Sequence, residues 1–334
     1  MYHPRLYGSF HEMGLKYGTL LSEKANFKIP PMNSQRLDFG LQSYRELKTF
    51  YPEVVEEIEG FAQGIGDRPE RLGAFLLSLG VLGTTGQCSV FAFANGDSVI
   101  MARNYDMLFE YKKFTESSLI APTDKYAYIS QSDVFIGRAD GINEKGLSIA
   151  MSFVNGTETR PGISFHFIIR KVLENCDSTE KAVALIRNTK VSSANNFLIA
   201  DRNGSIAVVE SAPQKSNIRY PKEGKPFLYI TNQFISPQMK VFDRGKVEWS
   251  QSFERYDHLK RSLLSLKTMD MKKAKGILSD KCICLNLKKE RFGTIWSVVA
   301  NLNTLQIERA ETLPKVTNYK PETRLDWWLK KTKM

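Results

Sequence analysis

Residues 84–106 read TTGQCSVFAFANGDSVIMARNYD. Two runs rich in Val, Ile and Phe flank Asn95-Gly96. An Asn-Gly pair between such runs is a strong hairpin signal, because both residues accept the positive φ of a type I′ turn. A two-residue turn there pairs Ala94 with Asp97 and sets Cys88 directly opposite Arg103. A four-residue loop keeps that register, and a three-residue loop breaks it. Thiol and guanidinium then share one face, with Asp106 just beyond the strand end. A cationic neighbour lowers a thiol's pKa and raises its thiolate fraction, which makes Cys88 a candidate nucleophile. A free cysteine in a strand also serves as a small buried hydrophobe, so the hairpin alone does not decide between the two.

Upstream of the hairpin the chain is helical in pattern. Met13, Tyr17, Leu20, Leu21 and Lys24 fall at helical spacing, and Pro30-Pro31 stops that helix. A second helix is predicted from about Asn33 to Phe50. A third opens at Pro52, with acids Glu53, Glu56, Glu57 and Glu59 early in it, where the helix dipole favours them. A fourth runs from Arg68 to Leu82, and the apolar run Leu72 to Gly83 is too short to span a bilayer.

Downstream the chain turns to strands. Tyr126–Gln131, Phe135–Ile142 and Leu147–Val154 read as strands, followed by helices over Ser164–Cys176 and Ser178–Asn188. Asn196–Asp201 with Ser205–Ser211 form a hairpin, and Phe227–Thr231 is a strand. Helices over Ser252–Leu266 and Met271–Ser279 precede a last hairpin, Ile295–Asn301 with Leu305–Arg309. Runs of strands separated by paired helices argue for a layered α+β architecture rather than alternating βαβ units.

The composition bounds the function classes. The chain has 334 residues, 42% apolar and 25% charged, which is ordinary globular composition. The first 25 residues carry Arg5, Glu12, Lys16, Glu23 and Lys24 and no apolar core, so no secretory signal and a cytoplasmic location are expected. Four cysteines in this length read as reduced thiols. The net charge of +11 is spread rather than clustered, so neither a nucleic-acid nor a membrane partner is expected. His3, His11, His166 and His258 are scattered, and Cys282-x-Cys284 lacks a second ligand pair and reads as strand packing. No metal and no cofactor are expected.

A nucleophile needs a base, and no histidine is placed to serve Cys88. If the chain were cut before Cys88, the new α-amino group, with a pKa near 8, could take the thiol proton. The abrupt change from helices to strands at this residue suits an N-terminal nucleophile.

The residues resemble the choloylglycine hydrolase and isopenicillin-N acyltransferase-like branch of the N-terminal-nucleophile hydrolases over nearly the whole chain. GSFHEMGLKYGTLL and EEIEGFAQGIG look like the helical pro-segment of the acyltransferase side. QCSVFAFANGDSVIMARNYDM resembles the nucleophile hairpin, and ADGINEKGLSIA the strand-turn-strand after it. NNFLIADRNGSIAVVESAP, TNQF and TIWSVVANLNTLQIERAE are similar to later strands in the same order.

The resemblance implies a four-layer αββα sandwich, with residues 1–87 as a pro-segment and 88–334 as the catalytic domain. It implies self-cleavage between Gln87 and Cys88, with Cys88 the nucleophile and its freed amine the base. Asp106 would orient that amine, Arg103 would favour the thiolate, and the Asn232 side chain and the Phe153 backbone N–H would hold the oxyanion. Gln87 stands where the acyltransferases carry glycine. The late arginine of the bile-salt branch falls in the region of Arg291.

The implied activity is that of a cysteine amidase or acyltransferase on linear amides of penicillin, bile-salt or N-acyl amino acid type. An acyl-CoA donor and homo-oligomerisation are left open. Phe91, Phe109, Phe135 and Phe153 are candidate walls of an apolar acyl pocket. The alternative is an unprocessed, silent chain acting as a binding or scaffold protein.

Overall fold

Strand β2 (Gln87–Asn95) and strand β3 (Ser98–Leu108) form the hairpin at the centre of the molecule. The structure is a computed structural model that describes residues 1–82, 86–245 and 247–332. Thr84 and Thr85 of the opening stretch, and Gly83 before them, lie outside the described residues.

The hairpin register differs from the expected one by two residues. Asn95 pairs with Ser98, so Gly96-Asp97 is the turn, and Cys88 faces Tyr105 while Arg103 faces Val90. Gly96 takes φ +62 as the first central residue, which suits a type II′ turn. Asn95 stays in the strand because its side chain is committed elsewhere. Its amide nitrogen donates to Ser98 O and Met269 O at 3.1 Å each, and its oxygen accepts from Met269 N. A shift of two residues leaves every side chain on its own face, so Arg103 becomes a diagonal neighbour of Cys88 on the same side.

Among the described residues, the chain before the hairpin holds β1 (Arg5–Gly8) and four helices: α1 (Phe10–Ala25), α2 (Ser34–Phe50), α3 (Pro52–Ile65) and α4 (Pro69–Ser78). The segment is therefore not wholly helical. Helix α1 starts at a full capping box, Ser9 with Glu12, and ends at Asn26 in the left-handed region. Gly14 and Gly18 of α1 face Gly60 and Gly64 of α3. A Cβ on Gly14 would lie 2.0 Å from Glu57 O, so only glycine lets these backbones meet.

After β3 come β4 (Glu116–Pro122), β5 (Tyr128–Ser132), β6 (Asp140–Asn143), β7 (Leu147–Phe153), α5 (Phe165–Asn175) and α6 (Thr179–Arg187). Strands β8 (Asn195–Asp201), β9 (Ile206–Ser211), β10 (Ser216–Arg219) and β11 (Phe227–Ile230) follow. Helices α7 (Ser252–Leu264) and α8 (Met271–Ser279) lead to β12 (Asn286–Leu287), β13 (Phe292–Asn301), β14 (Gln306–Ala310), β15 (Lys320–Glu322) and α9 (Arg324–Lys331).

Two sheets result. One runs β1-β4-β5-β6-β7-β8-β9-β10, and the other β11-β2-β3-β13-β14-β15 with β12 on β13. Helices α5 and α6 cover the first, α7 and α8 the second, and the sheets pack face to face, so the four αββα layers are present. Alternation along β2 sends Val90 and Ala92 to the core between the sheets, and Phe91 and Phe93 to the core under α7 and α8.

The N-terminal segment is sewn to this body. Strand β1 pairs in parallel with β4. Arg170 of α5 donates to both carboxylate oxygens of Glu57 on α3, with both side chains fully buried. Tyr17 OH donates to Glu116 Oε2 at 2.8 Å. No helix among the described residues is long and apolar enough to cross a membrane.

Candidate active site

Cys88 is buried on the inner face of β2 and lines a cavity of about 770 Å³. Arg103 Nη2 donates to its sulfur at 3.1 Å. The guanidinium is held from the other side by Asp140 Oδ2 at 2.9 Å and by Ala139 O. Burial pushes the Cys88 thiol up, and the Arg103 charge pulls it only part of the way back. The cationic neighbour therefore does not by itself produce a thiolate.

Asp106 follows one residue past Tyr105 and is fully buried. Thr294 Oγ1 donates to its Oδ1 at 2.6 Å, while Oδ2 has no partner among the described residues. Burial raises its pKa to about 6. Strand β13 carries one extra residue, Ile295, between the partners of Asp106 and Tyr105. This bulge brings Thr294 to Asp106 and stacks Trp296 on Tyr105 with ring centres 3.8 Å apart.

Asn232 lies just beyond β11. Its Oδ1 accepts from Cys88 N at 3.0 Å and from Arg255 Nη2 at 2.9 Å; both are obligate donors, which orients the amide. Its Nδ2 donates to Phe153 O at 2.9 Å, so one of its two N–H bonds remains for a ligand. The structure thus brings Gln87, Cys88, Arg103, Asp106, Phe153 and Asn232 together.

Arg291 is not among them. It is exposed, at φ +52, and its carbonyl accepts from Phe109 N. The arginine that fills the centre is Arg255 of α7, fully buried. It donates to Cys88 O at 2.6 Å, Ser89 Oγ at 2.9 Å, Gln87 Oε1 at 3.2 Å, Asn232 Oδ1 and Ser250 O. The sequence reading missed it, although a signal existed. With Ser252, Leu259 and Leu263 it completes the buried stripe of α7.

Of the four aromatic walls expected, Phe135 and Phe153 line the cavity. Phe91 does not, because it lies an odd number of positions along the strand from Cys88 and alternation turns it to the opposite face. Phe109 packs against Gly293 and lines another cavity. The segment Phe135–Ala139, expected as strand, is irregular, and Phe135 sits at φ +57. That strained backbone points its ring at Phe27, Phe61 and Phe75, with centres 4.7, 6.1 and 5.9 Å away. The N-terminal segment supplies Phe27, Phe75 and Leu79 to the wall, with Lys28 and Arg36 beside them. Cys282 is exposed in a turn and Cys284 is partly buried beside it, so neither packs in a strand.

Other polar groups in the cavity were not foreseen, His166 and Asp133 among them. His166 is buried with its Nδ1 unpartnered among the described residues, and burial holds its pKa at about 3. Asp133 accepts from Tyr105 OH at 3.1 and 3.2 Å, and burial raises it to about 6. A carboxyl whose folded pKa lies above its unfolded value near 3.8 weakens the fold as pH rises through that window. Asp133→Asn keeps the Tyr105 bond and removes the buried charge. It is expected to stabilise the protein at pH 7 by on the order of 3 kcal/mol, with the gain vanishing below about pH 4. Thermal melts of both proteins between pH 4 and 7 check this; a gain that does not depend on pH would refute it.

A family profile described as acyl-coenzyme A:6-aminopenicillanic acid acyl-transferase matches residues 93–315. The match takes in Arg103, Asp106, Phe153, Asn232 and Arg255 and begins after Cys88. No curated protein matches the chain by sequence. Among solved structures, penicillin V acylase from Agrobacterium tumefaciens is 16% identical, with 68% of this chain and 84% of that chain covered and a TM-score of 0.47. The Caenorhabditis elegans ortholog of N-acylethanolamine-hydrolyzing acid amidase is 20% identical, with 65% and 93% covered and a TM-score of 0.48. A variant of conjugated bile acid hydrolase from Clostridium perfringens is 15% identical, with 67% and 89% covered and a TM-score of 0.49.

Proposed function

Because this chain belongs to the acyl-coenzyme A:6-aminopenicillanic acid acyl-transferase family, we propose that it is a self-processing cysteine amidase or acyltransferase acting on linear acyl amides. The observation that carries the reading is the Cys88 sulfur on the wall of the large cavity, bonded by Arg103, with its backbone nitrogen held by Asn232.

In the cleavage step the thiol attacks the Gln87 carbonyl carbon. The peptide C–N bond breaks, a thioester forms, and the thiol proton passes to the Cys88 nitrogen. Water then releases the Gln87 carboxylate and restores the thiol. The freed amine, with a pKa near 8, is the base of turnover, and Asp106 Oδ2, which has no partner among the described residues, is the acceptor that orients it. In turnover this amine takes the thiol proton as sulfur attacks the acyl carbonyl, and hands it to the leaving amine. Water or a second amine resolves the thioester. The free N–H of Asn232, with the Phe153 backbone N–H, holds the oxyanion; one such donor is worth about 10²–10³ in rate.

The apolar wall suits an acyl chain. Lys28, Arg36 and Lys113 line the same cavity with no carboxylate partner among the described residues, and suit an anionic group such as a carboxylate or the phosphates of an acyl-CoA. Residues 1–87 build part of that wall and are held by β1 and the Glu57–Arg170 pair. They act as a second chain that stays bound after cleavage.

Intact mass under denaturing conditions is expected to give fragments 1–87 and 88–334 that co-elute as one species in native buffer. Brief exposure to an N-acyl amino acid is expected to add one acyl group to fragment 88–334. A chain that stays whole and takes up no acyl group would overturn the reading. It would favour a second one, an unprocessed binding protein, for which Gln87 buried inside β2 and bonded to Arg255 speaks.

A further inference from the structure

The fold joins residues that the sequence scatters. His258 on α7 and Asp280 and Cys282 in the turn after α8 each bring one ligand atom within 4.8 Å of the other two. These side chains lie outside the cavity and have no part in the proposed chemistry. From them we propose a surface site for a zinc-class divalent transition metal, held by His258 Nε2, the Asp280 carboxylate and Cys282 Sγ, with water in the fourth position.

The donor set selects the ion. Imidazole, thiolate and carboxylate together suit zinc and its neighbours, whereas magnesium and calcium take oxygen alone. One thiolate and one carboxylate cancel a dication's charge, with the imidazole neutral. The spacing agrees as well. His258 Nε2 and Asp280 Oδ1 stand 3.5 Å apart, longer than a charge-assisted hydrogen bond of about 2.7–2.9 Å. With ligand bonds of about 2.0–2.2 Å, a tetrahedral edge is about 3.4 Å.

The turn is also preorganised. Asp280 Oδ1 accepts from Cys282 N at 2.7 Å, and Asp280 O accepts from Ile283 N and Cys284 N at 2.9 and 2.7 Å. The carboxylate is therefore aimed before any ion arrives, as outer-shell hydrogen bonds do for metal ligands. The loop continues to Leu285, whose carbonyl accepts from Thr294 N, and Thr294 holds Asp106. A metal bound here would pin the segment behind the catalytic centre.

The test is a cobalt(II) titration of the full chain carrying Cys88→Ala, so that the reactive thiol and any new amine cannot bind the ion. One equivalent is expected to bind, with sulfur-to-cobalt charge-transfer absorption and tetrahedral visible bands, and zinc should displace it. His258→Ala and Cys282→Ser are each expected to abolish the spectrum, while Cys284→Ser keeps it. Absence of saturable uptake, or uptake that persists unchanged in either of the first two variants, would overturn the site. Because the assay reads no turnover, its failure leaves the amidase reading standing.

Discussion

Cys88→Ala is expected to abolish self-cleavage, leaving a single chain of 334 residues, and to lower acyl-amide turnover on the order of 10⁴-fold or more. The size of the effect follows from how the thiol is kept. Burial raises its pKa against the pull of Arg103, so at neutral pH it carries its proton and needs a base. His166 lines the same cavity, but a pKa near 3 makes it too weak to take that proton. Asp106, near 6, is a poor match as well. An α-amino group near 8 is matched to a thiol, and it exists only after Cys88 has cut its own chain. In the proposed mechanism one side chain thus controls two events, the making of the base and the acylation that uses it.

The companion variant Cys88→Ser separates these from folding. It is only slightly smaller and keeps an acceptor facing Arg103, so the melting temperature should move little. Cleavage, followed by mass over hours, should slow because a hydroxyl is a weaker nucleophile than a thiol. Wild-type turnover by an alanine variant that remains uncut would remove Cys88 from the mechanism.

The parts of the fold that were legible in the sequence are those set by local signals. Asn33 and Pro52 mark the starts of α2 and α3, and the stripes of α5 and α6 lie where their apolar spacing puts them. The strands that went unseen, β1, β4, β10, β12 and β15, are short or polar, and β1 is defined only by a partner distant in sequence. Arg5–Gly8 is a strand because Leu119–Pro122 lies beside it. Glu116–Pro122 carries polar residues that face Arg138 and Arg309 in the interior rather than water. Nothing in a two-residue period announces that.

The hairpin shows the same limit at finer grain. Asn-Gly is a turn signal by its own conformational preference, yet Asn95 is claimed by Met269, which lies 174 positions away in the chain. That tertiary bond moved the turn by one residue and the pairing by two. The functional face survived because the shift was even. The residues that the resemblance names, Arg103, Asp106, Phe153 and Asn232, do gather near Cys88, and Phe135 and Phe153 line the cavity as expected, whereas the rest of its wall was not readable. Phe27, Arg36, Phe75 and Leu79 reach the nucleophile only through the packing of α1 to α4 onto the body.

Arg255→Met is the variant expected to damage both the fold and the chemistry. All five N–H bonds of this guanidinium are spent on acceptors inside the protein: Cys88 O, Ser89 Oγ, Gln87 Oε1, Asn232 Oδ1 and Ser250 O. Burial lowers its pKa, against the pull of Asp106, and a guanidinium remains charged in proteins. Methionine fills much of the volume and bonds none of those atoms. Hydrogen bonds to a charged group are worth about 1.5–3 kcal/mol each, and removing the buried charge returns part of its desolvation. A net loss of about 2–4 kcal/mol of stability follows.

The effect on rate has a different origin. Arg255 Nη2 and Cys88 N together fix the Asn232 amide, which in the proposed mechanism aims its free N–H at the oxyanion. Without the arginine that amide can turn, and kcat should fall about 10²–10³-fold, the range for one lost oxyanion donor. KM should change less, since Arg255 does not line the cavity. Arg255→Lys, with three donors and no planar fork, should recover part of the stability and little of the rate. Denaturant melts and steady-state kinetics on the same preparations separate the two effects. A methionine variant with wild-type kcat would show that Asn232 is positioned without it.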